Sequence, residues 1–309
     1  MKIIKIIISI SIFSSILLVK TIGYENKILF KVNNEIVTSV DILNEIEHLK
    51  LINKNFEKLE QKQIFEITKN SLIREKIKII ELSNYFDSFE IDQEYYEFFL
   101  DNYKKKLNLK TTDEFKNYIK NKGIKFETII NKIQIEFLWN QLIIQKYSKD
   151  IKIDKSKIKK NLSKNNFQKE FLISEILFNL NDGEKLTDKF ESIKSKIKTK
   201  GFEEAALMYS ISTSANNGGK LGWIKLNSLN LKIKNEILKT NIGDFTKPIV
   251  IPGGFIILKI EEERKTKILE NLDEEIENIA KEIANKQLNQ FSNIYINKLK
   301  KEININEFR

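Results

Sequence analysis

The sequence predicts an α+β protein that is mainly helical, on three observations. Stretches before residue 150 and after residue 268 repeat apolar side chains at the spacing of one helix face, whereas the segment between them mixes strand-like and helix-like pieces. Only 10 glycines and 2 prolines occur in 309 residues, too few for a protein built from many short strands and turns. With 41% hydrophobic residues, the chain can fill the cores of about two domains.

The composition excludes most familiar catalytic chemistry. The chain has no cysteine, which rules out disulfides, thiol nucleophiles and cysteine-held zinc. Its single histidine, His48, excludes any site that needs two imidazoles, and we predict neither a metal nor a cofactor. The net charge of +10 comes from lysines interleaved with acidic residues along helical stretches. Because that pattern is typical of solvated helix faces, we predict no nucleic-acid partner.

Residues 1–23 have the pattern of a secretory signal peptide. Two lysines precede a mostly apolar run of 14 residues, 6–19, and Thr21 and Gly23 supply small side chains before a cleavage point. The run is shorter than the roughly 20 apolar residues that cross a bilayer. We therefore predict cleavage after Gly23 and a periplasmic protein with no stable membrane span. The alternative is a retained anchor, which would make the protein a membrane-tethered foldase.

The segment after the signal is predicted to begin with a hairpin and to continue as helices. Two short apolar strands flank Asn33-Asn34, whose side chains suit the left-handed turn of a hairpin. Thr38 can cap a helix that runs to about residue 54, and His48 on that helix is interpreted as an ordinary surface or core-edge residue. Apolar residues at helical spacing predict further helices at 57–84, 92–107, 112–121 and 125–149.

The middle of the chain is predicted to form a separate α+β domain. Residues 150–166 are polar and lysine-rich and are interpreted as a joint. The pattern then predicts a strand at 170–180, a turn at Asp182-Gly183, helices at 187–199, 202–209 and 231–238, a loop at 210–222 and a strand at 254–261. A long helix predicted at 268–303 has an apolar stripe too wide to leave in water. We therefore predict that it packs on the helical N-terminal half, with the middle domain inserted between them.

Four segments of the middle domain resemble the parvulin-type (PpiC, rotamase) peptidyl-prolyl isomerase family: SEILFNL (174–180), GFEEAALMYS (201–210), SANNGGKLGW (214–223) and NIGDFTKPIVIPGGFIILKIEEER (241–264). With the signal, the opening VNNEIVTSVDILNEI (32–46) and the closing helix, the chain resembles periplasmic chaperones of the SurA type, which usually carry two such domains. The resemblance implies a signal peptide at 1–23, a helical domain at 24–166, one parvulin domain at 167–264 and a C-terminal helix at 265–309 packed on the N-terminal domain.

The resemblance also implies a pocket for a proline-bearing chain. Carried over by position, the pocket comprises Leu221, Leu229 and Ile233, with Phe255 and Ile256 beside them on the last strand. Ile233 stands where active members often have an aromatic ring. The alternative is that Leu221, Leu229 and Ile233 belong to the core of a small domain.

The polar side of the implied site departs from the family pattern. Glu175 and Ile256 stand at the two histidine positions, and Ser212 stands at the position of a cysteine or aspartate. The Ser212 hydroxyl can donate a hydrogen bond and Glu175 is acidic, whereas Ile256 offers no polar group. Ser212 and Glu175 are therefore the candidate catalytic residues, and we expect weak or absent isomerase activity.

Two functions remain open from the sequence. The first is a chaperone that binds unfolded exported polypeptides, outer-membrane proteins among them, with a nearly silent parvulin domain. The alternative is a fully active isomerase, because rotating a prolyl bond breaks no covalent bond and needs no cofactor. An aromatic-rich segment is the candidate contact for client chains, unless its residues form helix core. Its members are Tyr85, Phe86, Phe89, Tyr95, Tyr96, Phe98, Phe99 and Tyr103.

Overall fold

The computed structural model describes residues 26–163, 167–181, 183–268 and 271–308, so the predicted signal peptide and Asp182 of the predicted turn lie outside the described residues. The N-terminal elements are β1 (Ile28–Val32), β2 (Glu35–Thr38), α1 (Ser39–Ile52), α2 (Gln61–Leu82), α3 (Gln93–Leu107), α4 (Thr112–Asn121), α5 (Phe126–Tyr147) and α6 (Lys155–Leu162). The middle elements are β3 (Phe167–Phe178), α7 (Leu186–Lys200), α8 (Phe202–Tyr209), β4 (Lys220–Lys225), α9 (Leu231–Lys239), β5 (Ile249–Ile251) and β6 (Gly254–Lys267). The last elements are α10 (Leu272–Glu302) and β7 (Ile305–Glu307). The prediction of a mainly helical α+β fold is confirmed.

A hairpin begins the described chain at the asparagine pair that predicts it. Asn33 has a φ of 50°, in the left-handed region, and β1 and β2 pair antiparallel on either side of the turn. The Thr38 hydroxyl then accepts a hydrogen bond from the Asp41 N–H at 3.3 Å, and the Asp41 carboxylate accepts one from the Thr38 N–H at 2.8 Å. This reciprocal cap ends β2 and fixes the start of α1.

The helices of the N-terminal part pack on the small sheet and on one another. α2 contacts β1, β2, α1 and α5, and α5 in turn contacts α3 and α4. The core under the sheet is formed by buried apolar residues, among them Phe30, Val32, Ile42, Leu72 and Ile77. α1, α2 and α5 therefore bury apolar residues along one face, as their sequence periodicity predicts.

The middle domain is built on a four-stranded antiparallel sheet in the order β4-β3-β6-β5. Alternate side chains of its two long central strands serve two different cores, because successive residues of a strand point to opposite faces. One core lies towards α9 and contains Ile173, Leu177, Ile233, Ile256, Leu258 and Ile260. The other lies towards α7 and α8 and contains Ile176, Phe178, Ile193, Phe202 and Ile257.

The segment predicted to be a polar joint, residues 150–166, is corrected by the structure, since it contains α6. Ile158 and Leu162 of this helix are buried against Ile276 and Ile279 of α10. The helix has 8 residues, KSKIKKNL, of which only these two are buried. Two apolar residues in a single short helix give no periodicity that distinguishes it from a polar linker.

α10 connects the two parts of the molecule. It contacts α2, α5 and α6 of the N-terminal part, where the Trp139 Nε1–H donates a hydrogen bond to Ser292 Oγ at 2.8 Å. It also contacts the middle domain, where Lys225 Nζ lies 2.9 Å from the buried carboxylate of Glu275. Beyond α10, β7 pairs antiparallel with β1, so residues from both ends of the described chain share the sheet β2-β1-β7.

We predict that Ser292→Ala lowers the free energy of unfolding by about 1–3 kcal/mol, because the buried Trp139 N–H loses its acceptor. Urea unfolding followed by far-UV circular dichroism measures the change. Ser195→Ala, at an exposed position of α7, is the matched control and should stay within about 0.5 kcal/mol of the wild type. Equal stability of the two variants would contradict the role given to this hydrogen bond.

Candidate active site

The structure brings the two candidate catalytic residues into direct contact. The Ser212 hydroxyl donates a hydrogen bond to Glu175 Oε1 at 2.6 Å, and the Ser214 hydroxyl donates to the same oxygen at 2.8 Å. Burial raises the pKa of Glu175, while the hydrogen bonds from Ser212 and Ser214 act in the opposite direction. The hydroxyl that the sequence assigns to a substrate is therefore engaged by a neighbouring carboxylate.

A glycine determines how closely the serines approach β3. Residues 210–219, here called the serine loop, end at Gly219, whose N–H donates to the Ser214 carbonyl at 2.9 Å and whose carbonyl accepts from the Glu175 N–H at 2.8 Å. Gly219 has a φ of +80°, and a Cβ at this position would collide with the carbonyl oxygen of Glu175. Gly219 of the GGK motif thus sets how closely the loop approaches β3.

A third serine fastens the other end of the serine loop. Ser210 Oγ accepts hydrogen bonds from the Leu177 N–H at 3.1 Å and from the Ser212 N–H at 3.3 Å. The Ile211 N–H donates to the Leu177 carbonyl at 2.7 Å. Both ends of the loop are therefore tied to β3, one at Leu177 and the other at Glu175.

The apolar residues predicted to hold proline do not share one environment. Ile233 and Ile256 are 8% and 7% exposed and belong to the core between the sheet and α9, with Leu229 packed against it. Leu221 is 40% exposed and is the extra residue of a bulge, because Ile173 pairs with Gly222 while Ser174 pairs with Lys220. Of the predicted pocket, only Leu221 presents a large apolar surface to solvent, and Leu229 is half-buried.

Phe255 requires a correction. Its ring stacks on Phe178 at a centroid distance of 5.6 Å, in the core that faces α7 and α8. Ile256, the next residue of β6, faces the core on the α9 side. The prediction that both residues line one pocket is wrong, because adjacent strand residues point to opposite faces of the sheet.

The serine loop lies against the N-terminal helices and borders two cavities. The first, here the helical cavity, has a volume of about 380 Å³ and is lined by α1, α2, α3 and α5 together with Thr213, Asn216 and Asn217 of the loop. The second, here the cleft cavity, has a volume of about 230 Å³ and lies between α2, α10 and residues 207–211, 215 and 216. Ser212 itself lines neither cavity, although its neighbours Ile211 and Thr213 do. Among the described residues, the walls come from the helical part, the end of α8 and the loop, not from Leu221, Leu229 or Ile233.

A charged network in the helical cavity was not predicted from the sequence. Glu45 is 2% exposed, and its Oε2 lies 2.7 Å from Lys132 Nζ and 3.3 Å from His48 Nδ1. Lys132 also forms an ion pair with Glu75. A signal for Glu45 is present in the helical pattern, because it lies three residues after Ile42 and four before Leu49, on the buried face of α1.

The charges decide the ionisation of this network. Burial alone would raise the pKa of Glu45, but the charges of Lys132 and His48 and their hydrogen bonds outweigh it and lower the pKa to about 2. Burial raises the pKa of Tyr103, whose hydroxyl lies 3.2 Å from His48 Nε2, to about 12. The network therefore holds a permanent carboxylate–ammonium pair next to the serine loop at neutral pH.

Comparison with known proteins identifies the middle domain. Residues 171–262 match the family model Rotamase, described as a PPIC-type PPIASE domain. The chain is 26% identical over 163 residues to the chaperone SurA of Pseudomonas putida, covering 49% of this chain and 38% of SurA. It is 29% identical over 177 residues to the foldase protein PrsA 2 of Bacillus anthracis, covering 53% of this chain and 55% of PrsA 2. The matches thus span about two fifths of the length of SurA and just over half of the length of PrsA 2.

A solved structure of a SurA-like chaperone of Campylobacter jejuni is 16% identical, covers 92% of this chain and 100% of its own, and has a TM-score of 0.36. The family-model match confirms a PpiC-type domain at residues 171–262, and the chain is similar in sequence to SurA over about half of its length.

We predict that Glu45→Gln destabilises the protein by about 3 kcal/mol at neutral pH, since the pKa of Glu45 falls from an ordinary 4.5 to about 2 on folding. A depressed carboxyl pKa stabilises the fold above the unfolded pKa and loses that contribution as pH falls towards the folded pKa. The difference between wild type and variant should therefore shrink by roughly half between pH 5 and pH 3. Urea unfolding across this range measures it.

Glu47→Gln is the matched control on the same helix, because Glu47 pairs with Lys50 near the surface. Its effect should stay below about 1 kcal/mol at every pH. A constant difference between wild type and Glu45→Gln from pH 5 to pH 3 would contradict the assigned pairing.

Proposed function

We propose that this protein is a periplasmic chaperone that binds unfolded exported polypeptides, outer-membrane proteins among them, and that its parvulin domain has little or no prolyl isomerase activity. The observation that carries the proposal is the contact between Ser212 and Glu175. In this contact the Ser212 hydroxyl, the main candidate hydrogen-bond donor of the site, already donates to an acceptor within the protein. The similarity to SurA supports the chaperone function.

The chemistry of isomerisation explains why this contact matters. Rotation about a prolyl bond crosses a barrier of about 18–20 kcal/mol, and an enzyme lowers it by binding the twisted amide more tightly than the planar one. Oriented hydrogen-bond donors give that preference, and each tenfold in rate corresponds to about 1.4 kcal/mol. Here Ser212 and Ser214 both donate to Glu175, and Ile256 has no polar atom.

The burial of the residues predicted to bind proline also supports weak isomerase activity. Ile233 and Ile256 are packed into the core on the α9 side, in contact with apolar residues of the sheet. A pyrrolidine ring could occupy that position only by displacing them, which a close-packed core resists. Leu221 remains available to contact a chain at the surface of the domain.

A chaperone needs apolar surface beyond its own core, and α3 supplies it. Tyr95 and Phe98 are 47% and 68% exposed. Their rings join those of Phe99 and Phe137, with centroid distances of 4.8 Å for Tyr95–Phe137, 5.6 Å for Phe98–Phe99 and 6.0 Å for Phe99–Phe137. These four residues, here the α3 aromatic surface, offer the sequence-tolerant contacts that unfolded chains can use.

Other members of the aromatic-rich segment have a different role. Phe86 and Phe89 pack against the core between α5 and α10, and Tyr96 and Tyr103 pack against the core between α3, α4 and α5. Tyr85 is 48% exposed, and Lys146 Nζ lies 4.3 Å from its ring centroid. The segment thus divides into residues packed on the cores and a smaller exposed set, Tyr85, Tyr95 and Phe98.

The proposed periplasmic location depends on the signal peptide at 1–23. Within the described ranges, no helix combines the length and the apolar character that a bilayer crossing requires. N-terminal sequencing of the exported protein tests the location: cleavage after Gly23 supports it, and an intact N-terminus supports a membrane-tethered foldase.

The second candidate function is a fully active isomerase. It is favoured by the match of residues 171–262 to the family model and by the exposed Leu221.

We predict that the wild-type protein accelerates cis–trans exchange of a Xaa-Pro peptide less than about tenfold over the uncatalysed rate, because the oriented donors of the site are engaged internally. A protease-coupled assay measures the exchange. Leu221→Lys should leave the rate unchanged, as should the control Leu238→Lys at a residue that is 50% exposed on α9. Strong acceleration that Leu221→Lys abolishes and Leu238→Lys preserves would establish the active isomerase instead.

We predict that Phe98→Ser with Tyr95→Ser weakens the binding of an unfolded polypeptide about fivefold or more, because the α3 aromatic surface loses its two exposed rings. Suppression of aggregation of a denatured test protein, titrated with the chaperone, measures the loss. Ile242→Ser, at a residue that is 59% exposed on the parvulin domain, is the control for general loss of apolar surface. Equal suppression of aggregation by the wild type, the Tyr95/Phe98 double variant and Ile242→Ser would reject this surface as the client site.

A further inference from the structure

The cleft cavity between the two parts of the molecule has an unusual charge. Two cationic side chains line it, Arg74 from α2 and Lys300 from α10. Among the described residues of its wall there is no carboxylate. The remaining wall is apolar or neutral, with Ile67 and Ile296 from the helical part and Ile211 from the serine loop. The cavity therefore has a net positive charge that its own walls do not balance.

Arg74 lines the helical cavity as well as the cleft cavity, and its pairing differs from that of Lys78 and Lys132 in the helical cavity. Lys78 pairs with Glu136, and Lys132 pairs with Glu45 and Glu75. The half-buried guanidinium of Arg74 makes no hydrogen bond or ion pair within the described part of the chain. Burial lowers its pKa to about 10, with a partly compensating attraction from Glu136, whose carboxylate is already bound by Lys78. An arginine seldom bears this desolvation without an anion.

Lys300 adds a second charge of the same sign. It lies at an exposed position on the rim of the cavity and makes no hydrogen bond or ion pair within the described residues. Partial desolvation, together with the charges of Arg74 and Lys69, lowers its pKa. Lys69 itself is paired, with its Nζ 2.5 Å from Glu307 Oε1. Two like charges that face one cavity whose described wall holds no carboxylate repel each other, and an anion between them reduces both the repulsion and the desolvation cost.

We propose that the cleft cavity binds a carboxylate of the client polypeptide, held between Arg74 and Lys300. This inference rests on the proposed function, since it assigns a subsite to a bound peptide chain. A volume of about 230 Å³ accommodates one residue, and the apolar side chains of the wall suit the hydrocarbon part of that residue. The carboxylate is either the C-terminus of the chain or an acidic side chain.

The position of the cavity places this subsite next to the predicted prolyl site. Ile211 lines the cavity and also packs against the core that contains Ile233 and Ile256. Ser210 lines it as well, two residues before Ser212. A chain whose carboxylate lies between Arg74 and Lys300 therefore runs along the serine loop, between the parvulin domain and the helices.

Three peptides and the full chain test the proposal by isothermal titration calorimetry. The first is acetyl-Ala-Ala-Pro-Ala-Phe with a free C-terminal carboxylate, the second is its C-terminal amide, and the third is the amide of acetyl-Ala-Glu-Pro-Ala-Phe. We expect at least one carboxylate peptide to bind about tenfold more tightly than the neutral amide at low salt, with the preference falling as salt rises. Preference for the first peptide identifies the C-terminus as the source, and preference for the third identifies the side chain.

Variants connect the preference to the two cations. Arg74→Met and Lys300→Met should each reduce it, and the double variant should abolish it, whereas Arg74→Lys should retain part of it because the charge remains. Lys298→Met is the matched control, at an exposed lysine of α10 outside the wall of the cavity, and should keep the full preference. Far-UV circular dichroism verifies that the variants fold, and Lys300→Met, at an exposed position, provides the test should Arg74→Met fail to fold.

The outcomes separate this inference from the proposed function. Amide binding that depends on Phe98 without any carboxylate preference overturns the subsite and leaves the chaperone proposal standing. A carboxylate preference that depends on Arg74 and Lys300, without any Phe98-dependent binding of the amide, supports the subsite and overturns the chaperone surface. A preference that survives in the double variant, or no binding of any peptide, overturns the subsite.

Discussion

The packing of α10 against both parts of the molecule is the constraint on which the rest of the structure depends. Its buried stripe completes the core of α5 and α6, and its polar residues reach the middle domain through Glu275 and through Lys286, which donates to Ser228 Oγ at 2.5 Å. At the same helix, Gly253 is so close that a Cβ would lie 2.7 Å from Ile294 Cγ1. The parvulin domain is therefore held with its serine loop facing the N-terminal helices, and the two cavities exist because of that orientation.

The candidate site combines a rigid frame with an internal hydrogen-bond network. Gly219 lets the serine loop approach β3, and the sheet forms an apolar core with α9. The carboxyl group of Glu175 accepts hydrogen bonds from Ser212 and Ser214. Such a network stabilises the loop in one conformation, which suits the proposed binding role better than it suits a centre that must follow a rotating amide.

The sequence predicted those parts of the fold that have a long periodic signal. The helices of the N-terminal half, the hairpin at Asn33 and the long C-terminal helix have repeated apolar positions or specific turn residues. The short helix α6 and the three-residue strand β7 lack such repeats, and long-range packing determines both. In the site, position in the motif sufficed to assign Glu175 and Ser212 to one candidate site, but not to predict the hydrogen bond between them. The facing direction of Phe255 and the unpaired state of Arg74 likewise depend on contacts between distant segments.

The sheet that contains β7 has a consequence for the order of folding. β1 and β2 are close in sequence and can form their hairpin early, but β1 pairs on its other edge with Ile305–Glu307. Until those residues join the sheet, one edge of β1 has no partner and the apolar underside of the hairpin lacks Leu299 and Ile305. Contacts between such distant residues form slowly, so the folding chain itself exposes apolar surface until β7 has paired.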